Sequence, residues 1–123
     1  MRARAIVAAI ALSLAACAAT RSGPTKKQTE YLKAHPLSPD DERRLYAREA
    51  RRGDTIDRVV VTFDGCDFER TSAEAALSVW KVHVPIDGRP IRVVTDKLED
   101  VPAGGSAMLT FRNDRLESAL ILE

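Results

Sequence analysis

Cys66 and His83 are the pair in this 123-residue chain that could serve as nucleophile and base, and thiol hydrolysis is the chemistry such a pair would support. Asp64, Asp67 and Glu69 crowd the thiol with negative charge, which disfavours the thiolate. The plainer reading of Cys66 is a small, half-buried side chain after a turn; in an oxidising compartment it is also a thiol open to an intermolecular disulfide. The run Asp64-Gly65-Cys66-Asp67-Phe68-Glu69 lacks the alternate ligands and distal glutamate of a calcium loop. A second group is cationic. Arg43, Arg44, Arg48, Arg51 and Arg52, with Arg58 just beyond, would suit an anionic headgroup, a lipopolysaccharide phosphate or an acidic partner. Against this stands a solvated helix face neutralised by Asp40, Asp41 and Glu49. Trp80 and Phe111 read as core residues of strands rather than ligand platforms. The chain has no glycine-rich phosphate loop, no Gly-x-Ser-x-Gly elbow and no paired-cysteine zinc motif. It is expected to be no enzyme and to hold no cofactor and no metal.

The elements that position these residues follow from caps and periodicity. Thr25-Lys26-Lys27-Gln28 fits a capping box and predicts a helix to Ala34, stopped by His35-Pro36. Ser38 as N-cap, Pro39 at N1 and the acids Asp40 and Asp41 predict a second helix over 39–52, with Arg51 and Arg52 at its end and Gly53 left-handed beyond it. That helix offers only Leu45, Tyr46, Ala47 and Ala50 to a core. From Arg58 the period changes to two, so that Val59, Val61 and Phe63 share one face of a strand. Residues 70–77 fit either a helical turn or a loop. A strand over 78–84 puts Trp80, Val82 and Val84 on one side and His83 on the other, and Asp87-Gly88 leads into a strand over 91–95. Residues 97–106, with Pro102 and Gly104-Gly105, read as a surface loop. The last hairpin pairs 107–112 with 115–122 around Asn113-Asp114. The expected class is α+β, with one or two N-terminal helices packed on an antiparallel β-meander of four or five strands.

The N-terminal segment carries Arg2 and Arg4, then an apolar run over 5–16 broken only by Ser13. A run this short suits a signal peptide, since a spanning helix needs roughly 20 apolar residues. Leu14-Ala15-Ala16-Cys17 resembles the lipobox of bacterial prolipoproteins. The resemblance implies cleavage before Cys17, lipidation of that cysteine, and anchoring by two or three acyl chains with no transmembrane helix. An ordinary secretory signal cut after an Ala-x-Ala-like site, with Cys17 incidental, is the alternative. Ala18 in place of an aspartate goes with release to the outer membrane, facing the periplasm, in Gram-negative lipoproteins of this kind. The expected organisation is a signal peptide over 1–16, a lipidated tether over 17–24 and a single small domain over 25–123. Of the 19 basic residues, Arg2 and Arg4 leave with the signal, so 17 remain against 18 acidic ones. A near-neutral chain is not steered toward nucleic acid. With Cys17 lipidated, Cys66 is the one remaining thiol, and no internal disulfide can form.

Met108-Leu109-Thr110-Phe111-Arg112-Asn113-Asp114-Arg115-Leu116 resembles the closing hairpin of the SmpA/OmlA (BamE-like) small outer-membrane lipoproteins, and His35-Pro36-Leu37-Ser38 resembles the approach to their helical half. The resemblance implies two helices on an antiparallel sheet and an accessory role in outer-membrane protein assembly. The chain departs from that family in having Gly53-Asp54-Thr55 where members carry a Gly-Met-Thr helix start, in lacking the Gly-x-Pro after it, and in passing directly into a strand. The expected function is a lipid-anchored, periplasm-facing interaction module with an envelope-protein partner, acting in outer-membrane assembly or envelope maintenance. The alternative is an anionic lipid- or glycan-binding, or inhibitor-like, lipoprotein.

Overall fold

The computed structural model describes residues 24–122. The lipobox and Cys17 lie outside the described residues. The fold is α+β, as expected, with helices preceding a strand meander: α1 (Lys26–Ala34), α2 (Pro39–Tyr46), β1 (Glu49–Arg51), α3 (Ile56–Thr62), β2 (Asp67–Ala73), β3 (Leu77–His83), β4 (Ile91–Val94), β5 (Leu98–Val101), β6 (Ser106–Arg112) and β7 (Arg115–Leu122).

Helix α1 has the capping box its sequence announces. Thr25 Oγ1 accepts from the Gln28 amide at 3.2 Å, and Gln28 Oε1 accepts from the Thr25 amide at 3.0 Å. Gln28 does more than cap: it is buried, and its Nε2 donates to the carbonyls of Leu45, Val61 and Thr62. The same amide therefore joins the ends of all three helices. Helix α2 begins as read, with Ser38 Oγ accepting from the Asp41 amide and Pro39 at N1. It ends early, at Tyr46 rather than Arg52, because Arg48 turns left-handed with φ of 59°. The Arg48 side chain plunges inward, and the chain after it extends as β1 beside β4. Only Ala50 of that strand reaches the core, so a helix there would have had little to bury.

The strand expected over 58–63 is helix α3. Thr55 caps it through Oγ1 to the Arg58 amide, and Asp57 lies in its first turn. Val59 and Phe63, both at 0 % exposure, are four residues apart, a spacing that fits one face of either a strand or a helix. Gly53-Asp54-Thr55 thus does open a helix.

Two sheets share the remaining strands. The larger is antiparallel in the order β2-β3-β6-β7, within the expected strand number. The smaller, β1-β4-β5, was not foreseen, and its β1–β4 pair is parallel. Strand β2 takes in 70–73 of the segment 70–77 that fitted a helical turn or a loop, and begins before it; of its seven residues only Phe68 packs against the core, so no alternation marks it. Strand β5 falls within the supposed 97–106 loop. The closing hairpin is as read: Asn113 and Asp114 have φ of 52° and 63°, the left-handed pair that a tight hairpin turn requires. A single cluster fills the interior, drawing Val59 from α3 and Phe63 from its C-cap, Val93 and Val101 from the small sheet, and Val82, Leu109 and Phe111 from the large one.

Candidate functional site

The arginine cluster does not form one surface. Arg44, 7 % exposed, donates to Asp41 Oδ1 at 2.7 Å and Asp54 Oδ2 at 3.2 Å. Arg58 stands 3.3 Å from the same Asp41 oxygen and 3.9 Å from Asp54 Oδ1, closing a lattice of alternating charge between α2, α3 and the turn after β1. The Arg44 hydrogen bond holds the Asp41 carboxyl down to about 2, against a desolvation that pushes the other way. Arg48, also buried, donates to the Asp64 carbonyl at 2.8 Å and to Cys66 Sγ at 3.3 Å. Arg43, Arg51 and Arg52 remain at the surface, and each faces a carboxylate: Asp40, Glu49 and Asp96 respectively. The sequence put five arginines on one helix; the fold sends two inward and leaves three at the surface, each against a carboxylate, with Arg43 and Arg51 sharing Asp40.

Cys66 is free and half-buried. Burial pushes its thiol up, Arg48 opposes this, and Asp67 and Asp64 add to it. His83 does not serve it. The His83 ring engages Ser106 Oγ through Nδ1 at 2.8 Å, on the face of β3 opposite Val82. The two residues conceived as a dyad therefore have different partners.

Trp80 packs against the core on one side and on the other lines a cleft of about 410 Å³, where the β2–β3 tip, the β6–β7 turn and the start of α3 meet. Its Nε1 donates to Ser78 Oγ at 3.2 Å, and the Arg70 guanidinium carbon lies 5.8 Å from the ring centre. Ile56, Glu74 and Asp114 complete the walls.

The edges of the large sheet differ in kind. Edge strand β2 carries Asp67, Glu69 and Arg70, charges that discourage pairing with another strand. At the opposite edge, the first part of β7 is covered by the segment before α3: the Gly53 amide donates to the Leu116 carbonyl, the Leu116 amide to the Asp54 carbonyl, and Arg52 Nε to the Glu117 carbonyl. The remainder, Ser118-Ala119-Leu120-Ile121-Leu122, carries no charge, and Leu120 is 65 % exposed.

The fold and these surfaces define a small α+β domain whose clustered arginines are paired with carboxylates or turned inward and whose surface carries an uncharged strand edge and a tryptophan-lined cleft. Compared with known protein families, curated proteins and solved structures, the chain matches none.

Proposed function

We propose that this chain is a lipid-anchored, periplasm-facing interaction module that serves outer-membrane assembly or envelope maintenance by accepting a strand of an envelope-protein partner along β7. The observation that carries the reading is the contrast between the two sheet edges. An uncharged, partly apolar edge is a template for strand addition, where backbone hydrogen bonds give affinity and alternate side chains give selectivity. Residues 118–122 are of that kind, and the charged β2 edge is not. The anchor rests on Leu14-Ala15-Ala16-Cys17 alone.

The test is in-cell crosslinking of the tagged, acylated protein, followed by detergent extraction and identification of what is bound, with Cys17→Ala and Leu120→Lys alongside. An outer-membrane protein partner is expected, lost in both variants. Recovery undiminished by Leu120→Lys overturns the edge. Absence of any protein partner, with binding to anionic lipid or glycan that fades between low and physiological salt, overturns the reading in favour of an anion-binding lipoprotein.

A further inference from the structure

The register of the large sheet places Asp67, His83, Ser106 and Leu122 in one row across all four strands, at one end of the sheet. Just past that row the chain forms two tight turns, 85–88 and 102–105, braced against each other: the Val84 amide donates to the Gly105 carbonyl at 2.9 Å and the Gly104 amide to the Val84 carbonyl at 2.8 Å. Each turn closes on its own proline, the Gly88 amide donating to the Pro85 carbonyl and the Gly105 amide to the Pro102 carbonyl. Ile86 sits at the apex, 87 % exposed, leaning over Gly104, whose φ is +84°. Asp87 is the sole charge on the two turns; the other residues are Pro, Ile, Ala and Gly.

We propose that this apex is a membrane-facing tip, and that Ile86 enters the interfacial layer of the bilayer that holds the acylated chain. The inference rests on the lipid-anchor reading of Cys17. Two further observations point to lipid rather than protein. Lipid offers no partners to backbone donors, and of the eight backbone nitrogens of the two turns those of Gly88, Gly104 and Gly105 are already paired while those of Pro85 and Pro102 carry no hydrogen. The first turn of α1 also belongs to this end, since Lys27 Nζ lies 3.9 Å from Asp64 Oδ1, three residues before Asp67 begins the row. Pro24 stands seven residues beyond Cys17, a reach of at most about 25 Å, so the anchored domain would carry this end close to the bilayer.

The test uses the full acylated protein in vesicles of phosphatidylethanolamine and phosphatidylglycerol, with Cys66→Ser as background. Ile86→Cys, and separately Leu98→Cys, carry a polarity-sensitive fluorophore. Leu98 is the control because it is exposed and lies at the end of the β4–β5 pair remote from the turns, opposite Val94, whereas Ile91 and Val101 pair next to them. A blue shift and quenching by spin-labelled lipid at position 86 but not at 98 is the expected result. Aqueous emission at 86 while Cys17 carries its acyl mass and the protein sediments with vesicles overturns the tip and leaves the anchor standing. An unmodified Cys17 and no sedimentation overturn the anchor, and the tip with it. As a readout free of substitution at the apex, amide exchange over 85–88 and 102–105 should slow severalfold in the vesicle-bound acylated protein relative to soluble Cys17→Ala. Equal exchange overturns the proposal, as does crosslinking of position 86 to a protein in cells.

Discussion

Asp54 shows how a single side chain can be worth more than its own burial. It is 7 % exposed, accepts from Arg44 and from the Arg51 amide, and faces Arg58. Asp54→Ala would leave two guanidinium groups facing a void, and breaking a buried pair in this way costs about 3 to 5 kcal/mol. Urea unfolding should read that loss, with Asp54→Asn intermediate. Asp41, in the same lattice, gives a pH dependence of known sign. Its folded value of about 2 lies below the unfolded value near 3.9, so its charge stabilises in full above about pH 5 and ceases to as pH falls through about 2. Because a third of the side chain is exposed, solvent screening reduces the contribution to about 1 kcal/mol. Asp41→Asn should flatten that part of an acid-stability profile, leaving the rest unchanged. At Cys66 the raised thiol predicts slow alkylation at neutral pH in the native protein and fast alkylation in urea. Rapid native alkylation at pH 7 would revive the thiol-enzyme reading.

Among the elements, the helices depend on a residue whose local role was legible and whose tertiary role was not. The capping box of Thr25 and Gln28 can be read directly from its spacing; the three carbonyls Gln28 meets on α2 and α3 are 17 to 34 residues away. Gln28→Leu keeps the volume, removes the reciprocal half of the capping box while Thr25 still caps, and strands those carbonyls, for an expected loss of about 2 to 3 kcal/mol in thermal or denaturant unfolding. Helix α3 marks where local reading failed. Arg58-Val59-Val60-Val61-Thr62-Phe63 has strong β propensity, but propensities differ by only fractions of a kcal/mol per residue, and a cap at Thr55 with two fully buried side chains at i and i+4 outweighs them. Strands β2 and β5 were missed for the converse reason. Edge strands bury little, so no alternation marks them.

At the scale of the molecule the two sheets share one core, so damage to the smaller should be felt by the whole. Val93 lies in β4 at 0 % exposure within the common cluster. Val93→Ala should cost about 2 kcal/mol with an unchanged denaturant slope, and the amides of β4 should exchange only by global unfolding. A separate early transition for residues 91–101 would show the small sheet to be an independent unit. The N-cap residues, the proline at N1, the closing hairpin and its Asn113-Asp114 turn were determined by the sequence itself, because each is a contract between residues a few positions apart. So was the α+β class, which follows from capped helices ahead of alternating strands, even though the switch to strands comes after α3 and not at Arg58. Tertiary structure alone decided that Arg44 and Arg48 turn inward, that β1 pairs with a strand more than 40 residues later, that His83 takes Ser106 and not Cys66, and that Ile86 stands at an apex. Those outcomes depend on which partners the folded chain brings within reach, and charge, register and burial between distant segments leave no periodic mark on the sequence.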